Sequence, residues 1–288
     1  MSVHTRPISE TSTNPPSTKA FRRWLPALIV LGILLIMGFY SATNGTRLAH
    51  DPVLGVADWT GYAVCHRITG RSFTINGRQL PLCARCTGMY LGVTLVFLLL
   101  GLSGRLRCSD LPPLPILLVL LGFVALMGVD GINSYSHFFP NAPHLYQPRN
   151  WLRLLTGMGT GLAMGVFIFP ALAQTLWRYP APLPAIGSLR EFAGVILVGG
   201  TAVLLVLSNQ PLILYVLALA SAAGVVMIVT ALNAILMLMA VRRDGLATGW
   251  QQAAMPLLIG LILTAVEIAV ISALRFNLTG MMAGFPGL

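Results

Sequence analysis

Seven long, largely apolar runs punctuate this chain, near 24–43, 88–104, 112–129, 152–176, 191–208, 211–240 and 253–274. Runs of this length match the thickness of bilayer hydrocarbon, where a helix satisfies all of its backbone hydrogen bonds internally. The pattern predicts an all-α fold, a polytopic transmembrane helical bundle of seven spans. Only 9% of the residues are charged, against the quarter or so of a soluble domain, so the lipid bilayer is the expected solvent and partner.

Punctuation between the runs sets the organisation. Residues 1–23 are polar and rich in Ser, Thr and Pro, which predicts a disordered tail without a site. No small-residue cleavage signal follows the first run, so it reads as a retained span. Leu111-Pro112-Pro113 fits the start of the third helix, and Ser208-Asn209-Gln210-Pro211 leaves room only for a tight helical hairpin. The Pro-rich stretch Tyr179–Pro184 divides a membrane domain, 24–176, from a three-helix extension, 177–288.

The 18 Lys and Arg outnumber the 8 Asp and Glu, and most lie in short segments between apolar runs, where they meet water and anionic headgroups. Aromatic residues are not interleaved with them as a nucleic-acid groove requires, so no nucleic-acid partner is expected. Ten basic residues fall on the N-terminal side and eight on the other. Setting aside Arg67, Arg71, Arg78, Arg85 and Arg153 as held by function leaves ten against three. On that assumption the protein is a multi-pass protein of the cell membrane with a cytoplasmic N-terminus and the 44–87 loop on the outer face.

Alternation of spans brings the 44–87 loop, the 130–150 loop and the start of the fourth helix to one face. Three of the four cysteines lie in the first of these segments, as Cys65-His66 and Cys83-Ala84-Arg85-Cys86 ahead of Thr87-Gly88. Two thiolates spaced C-x-x-C grip one ion from a turn, and Cys65 with His66 completes four ligands that suit zinc best. Neighbours such as Cys65 and His66 reach one ion only if a turn intervenes. The other set is Cys65, Cys83 and Cys86, with His66 free as acid, base or supporting group. The same residues also fit a thiol-disulfide oxidoreductase using Cys83 and Cys86 at a helix N-terminus, or a disulfide that staples the loop. Covalent haem attachment does not fit, because Thr87 rather than His follows Cys86.

Arg67, Arg71, Arg78, Arg85 and Arg153 make this face positive. Headgroup contact is the bland reading. Beside a metal, they would also hold a small anion or the phosphate of a lipid-linked substrate. Arg153 lies about one turn into an apolar helix, where an unpaired charge is costly, and Asp130 is its expected partner. His66, Asp130 and Arg153 are the candidates for catalysis, with Asn150 beside them.

The stretch from Cys65 to Gly92, CHRITGRSFTINGRQLPLCARCTGMYLG, resembles the signature of the bacterial and archaeal membrane family of unknown function called DUF2085. Cys65-His66, Arg71-Ser72-Phe73, Gly77-Arg78-Gln79-Leu80-Pro81 and Cys83-Ala84-Arg85-Cys86-Thr87-Gly88 carry the resemblance. Asp130-Gly131 and the run from Asn150 through Arg153 to Thr156-Gly157 continue it, for a span of roughly 55–176. It implies a membrane fold and a shared site but brings no activity. Three classes fit: a metal-dependent enzyme or carrier, a thiol-disulfide oxidoreductase, and a structural or assembly subunit.

Few polar residues interrupt the second half. Glu267 lies inside the seventh run, either facing a cavity or bonded to Asn233. If it shared a path with Asp130, proton-coupled transport would follow. Gly157-Met158-Gly159-Thr160-Gly161 reads as a close-packing helix surface. His137 and His144 read as solvated, and Asn277-Leu278-Thr279 is discounted as a glycosylation acceptor because it adjoins the membrane.

Overall fold

The computed structural model describes residues 52–139 and 143–281. The expected tail and the first apolar run lie outside the described residues, and so does the expectation for the N-terminus. Among the described residues the other six runs form helices long and apolar enough to cross a membrane. We number the helices α1 Pro52–Val64, α2 Ala84–Leu102, α3 Leu114–Ser136, α4 Asn150–Leu176, α5 Leu189–Leu207, α6 Pro211–Ala240 and α7 Trp250–Thr279. The all-α bundle expected from the sequence is what forms.

Local chemistry starts the helices where the punctuation predicts. Prolines sit in the first turn of α3 and α6, where a missing N–H costs nothing. Ser188 caps α5 by accepting from the Glu191 amide at 3.3 Å. The connection between α5 and α6 is as short as expected, with Asn209 in a left-handed conformation.

One helix was not expected. The 44–87 segment, read as loop, contains α1, too short to register as a span. It runs beside α7 in the same direction: Ser272 Oγ donates to the Trp59 carbonyl at 2.8 Å, and Tyr62 Oη hydrogen-bonds Thr279 Oγ1 at 2.7 Å.

The centre of the bundle is an α2–α4 pair packed backbone to backbone. A Cβ at Gly161 would lie 1.9 Å from the Met89 carbonyl, and one at Gly157 only 2.2 Å from that of Arg85. These glycines close-pack as expected, and the approach lets α2 and α4 share a core with Leu91, Leu154, Leu162 and Val166. At the end away from Cys65, Cys83 and Cys86, β3 Cys108–Asp110 pairs in parallel with β4 Ala181–Pro184, so the Pro-rich stretch ties the α2–α3 turn to the segment ahead of α5. A two-stranded hairpin, β1 Thr74–Ile75 and β2 Arg78–Gln79, lies at the cysteine end. Its turn is Asn76-Gly77, both at positive φ.

Candidate metal centre and its arginine face

Cys65 follows α1, its amide still bonded to the Gly61 carbonyl at 2.9 Å. A Cβ at Gly61 would lie 2.0 Å from the Pro81 carbonyl, so the absence of a side chain there lets the Leu80–Cys83 segment come against the end of α1. The chain then turns sharply, with Arg67 at φ 51°. That turn removes the objection to adjacent ligands: Cys65 Sγ and His66 Nδ1 are 3.8 Å apart. Cys83, the residue that caps α2, donates its amide to Cys65 Sγ at 3.3 Å.

The donor atoms of Cys65, His66 and Cys83 lie within 4.8 Å of one another. Tetrahedral zinc spaces neighbouring donors roughly 3.5–3.8 Å apart, so small shifts would suffice for all three to bind one ion. Cys86, one turn into α2, interacts with the Cys65 and Cys83 thiols but stands outside that tight group. The four-ligand set read from the sequence is therefore three close donors with Cys86 beside them, and His66 is inside the group. Hydrogen bonds from Cys83, then Cys86, hold the Cys65 thiol well below its ordinary pKa against the effect of burial. Contacts with Cys65 and then Cys83 raise the His66 pKa to about 9. All four cysteines are free thiols, and Cys108 lies at the opposite end in β3.

Arginines frame this group, each differently. Asp58 takes Arg67 and Arg78, at 2.7 Å each. Arg275, from α7, donates to the carbonyls of Tyr62 at 2.6 Å, Cys65 at 2.5 Å and His66 at 3.3 Å, and lies over the Tyr62 ring. It thereby satisfies carbonyls that the end of α1 leaves without helical partners. Gln79 Nε2 braces the turn by donating to the Arg67 carbonyl at 2.8 Å and to Ser72 Oγ at 2.9 Å.

Asp130 is buried near the end of α3, but its ion pair is with Arg85, not with Arg153 as expected. Its other oxygen accepts from Tyr146 Oη at 2.9 Å. Burial and that bond push the Tyr146 phenol up to about 12. Sequence order could not distinguish the two arginines. Arg85 starts the helix that packs backbone to backbone on α4, whereas Arg153 Nη1 turns to Asn150 Oδ1 at 2.9 Å. Asn150 Nδ2 reaches the Gly70 carbonyl at 3.3 Å.

Other singled-out residues lie apart from the centre. Glu267, exposed on α7, accepts from Asn233 Nδ2 at 3.0 Å, and no hydrogen bond or ion pair joins it to Asp130 among the described residues. His137 and His144 stack on each other, centroids 3.8 Å apart. An apolar cavity of about 480 Å3, lined by Phe97, Trp177 and Trp250 among others, lies elsewhere in the bundle.

Sequence reading missed Asp58, Tyr146 and Arg275. Asp58 carried a signal, as a lone acid in an apolar stretch ahead of the basic motif. Arg275 carried none, because 210 residues separate it from Cys65.

Residues 65–167 match the family described as predicted membrane protein DUF2085. An uncharacterized protein of Methanothermobacter thermautotrophicus is 33% identical over 103 residues, 36% of this chain and 82% of that protein. The chain belongs to the DUF2085 family. An uncharacterized protein of Methanocaldococcus jannaschii is 28% identical over 115 residues, 40% of this chain and 67% of its own length. No solved structure matches. The DUF2085 match opens at Cys65 and ends inside α4. It thus contains the three close donors, Asp130 and Arg153, while Asp58 and Arg275 lie outside it.

Proposed function

We propose that this DUF2085 protein holds a metal ion, zinc by ligand chemistry, on Cys65, His66 and Cys83, and that the centre serves a metal-dependent enzyme or carrier for a small anion or lipid-linked substrate. The observation that carries this reading is the approach of three donors, two thiols and an imidazole, to within 4.8 Å. Such a soft and borderline set is the kind that selects zinc. Cys86 is the natural fourth ligand of a closed centre, and its displacement would leave a position for water or substrate. Bound zinc would supply positive charge and Lewis acidity beside the arginines. The chain's own residues would bind and orient an anion there, with His66 the nearest group able to hold a proton.

A second reading, thiol-disulfide exchange, is supported by the Cys65 and Cys83 sulfurs lying within 4.8 Å of each other. On this reading those two, rather than Cys83 and Cys86, would be oxidised to a disulfide, passing two electrons to an external acceptor.

Cobalt(II) substitution tests the proposal. The full chain in detergent should develop tetrahedral ligand-field bands with sulfur-to-cobalt charge transfer, abolished in Cys83→Ser. Weakening of charge transfer in Cys86→Ser would identify a closed four-ligand centre; an unchanged band would identify an open one. Absence of a tetrahedral spectrum in the native chain would refute metal binding at this set.

A further inference from the structure

Six guanidinium groups at least partly buried on this face, Arg67, Arg71, Arg78, Arg85, Arg153 and Arg275, meet two carboxylates, Asp58 and Asp130. The distribution is uneven. Asp58 answers Arg67 and Arg78, Asp130 answers Arg85, and three backbone carbonyls receive Arg275. Arg71 and Arg153 have no carboxylate partner among the described residues. Arg153 is only 7% exposed and its Nε is buried without a hydrogen-bond acceptor. A buried cation left so is costly, by several kcal/mol in the usual case, unless an anion comes to it.

The two arginines are held in one arrangement. Asn150 bridges them: its Oδ1 accepts from Arg153, while its Nδ2 bonds the carbonyl of Gly70, the residue before Arg71. Arg71 is fixed from the other side by Phe138, whose ring centroid is 4.0 Å from the guanidinium carbon, and by the Ser134 carbonyl at 3.4 Å. Arg71, Arg85 and Arg153 are near enough for their charges to repel one another. The metal centre does not cancel this excess: even with Cys86 as a third thiolate, a divalent ion would leave one negative charge, against four guanidinium charges uncompensated by the carboxylates of the described residues.

We propose that Arg71 and Arg153, positioned by Asn150, form a binding site for a doubly charged tetrahedral oxyanion, inorganic phosphate or a phosphate monoester. Two unanswered guanidinium groups match a dianion in charge, and their donors match phosphate oxygens in chemistry. The inference names the substrate class for the function proposed above, but it rests on the arginines and not on the metal.

Phosphate binding to the zinc-supplemented full chain in detergent tests it, at about 0.3 M salt so that diffuse attraction is screened. The probes are radiolabelled inorganic phosphate and, separately, nanodiscs of phosphatidylcholine with or without phosphatidic acid. Saturable binding should weaken at least about tenfold in Arg71→Gln and in Arg153→Gln, while Arg78→Gln, which removes an equal charge answered by Asp58, should change it less than about twofold. Arg71 is half-exposed, so its variant keeps the test valid if Arg153→Gln fails to fold. Binding of either probe that follows Arg71 supports the site: retention of phosphatidic acid alone assigns a lipid headgroup, and free phosphate alone a soluble ligand. Absence of saturable binding, or equal losses in Arg78→Gln and Arg71→Gln, overturns it. Zinc content measured on the same samples separates the two readings, since zinc retained without phosphate binding removes only the anion site, and phosphate binding without zinc removes only the metal.

Discussion

Arg275 shows how one side chain far along the chain can govern a motif it does not belong to. Its guanidinium holds the carbonyls on which Cys65 and His66 hang, so Arg275→Met should lower zinc affinity by about 10–100-fold, the usual effect of losing a group that orients ligands. Competition with a chromophoric chelator would measure this, and unchanged affinity would show that the loop holds itself. Asp130→Asn leaves Arg85 without its ion-pair partner at a carboxylate only 1% exposed. It should cost about 3–5 kcal/mol, read as a fall in thermal stability in detergent. His66 offers a test by pH. In the metal-free chain its imidazolium should persist to about pH 9, and Cys65→Ser should return it toward the ordinary 6.5. A raised pKa means that this stabilisation is complete below about 6.5 and is lost as pH rises through about 9. The lowered Cys65 pKa works in the opposite sense, since its stabilisation is fully present above the thiol's ordinary 9 and is lost as pH falls toward the folded value. The two should therefore largely cancel between pH 6.5 and 9, leaving stability rising with pH only below that window. Nuclear magnetic resonance of the imidazole and thermal melts across that range check both halves.

At the scale of elements, the α2–α4 pair is the platform for the centre, because α2 begins at Cys83 and Ala84 and α4 begins at Asn150. Gly161→Val would drive a side chain into the Met89 carbonyl and should separate the helices, with loss of folded protein and of bound metal together. Gly122→Ala on α3, where nothing lies within 4 Å of the added carbon, should be neutral or slightly stabilising. Size-exclusion profiles and thermal melts of the two variants would decide; equal behaviour would remove the backbone contact as the cause. The helices were legible for the same reason that they are stable, since a long apolar run in lipid has few alternatives to helix. Helix α1 was not, because thirteen residues fall short of a span and its burial comes from α6 and α7, which sequence order hides. The β1–β2 hairpin was signalled by Asn76-Gly77, but strands of two residues give no periodicity to read.

Across the whole molecule, the centre draws on both the family-matched segment and the helices beyond it. Cys65, His66, Cys83 and Asp130 stood out in the sequence because Cys and His pairs at ligand spacing, and a lone acid in an apolar helix, are rare by chance. Pairing was not legible: Arg85 and Arg153 are equivalent in composition, and only the packing of α2 on α4 assigns Asp130 to the first. Helix α7 lies wholly outside residues 65–167, yet through Ser272, Arg275 and Thr279 it fastens α1 and the ligand turn. On the function proposed above, the cysteine face holds a metal ion. Metal content and free-thiol count on one purified, detergent-solubilised sample, for the native chain and a Cys65→Ser, Cys83→Ser double variant, test it most directly. About one zinc per chain, absent from the variant, is the predicted result. No metal in the native chain, with two thiols protected until reductant is added, would contradict it and leave a dithiol–disulfide pair in its place.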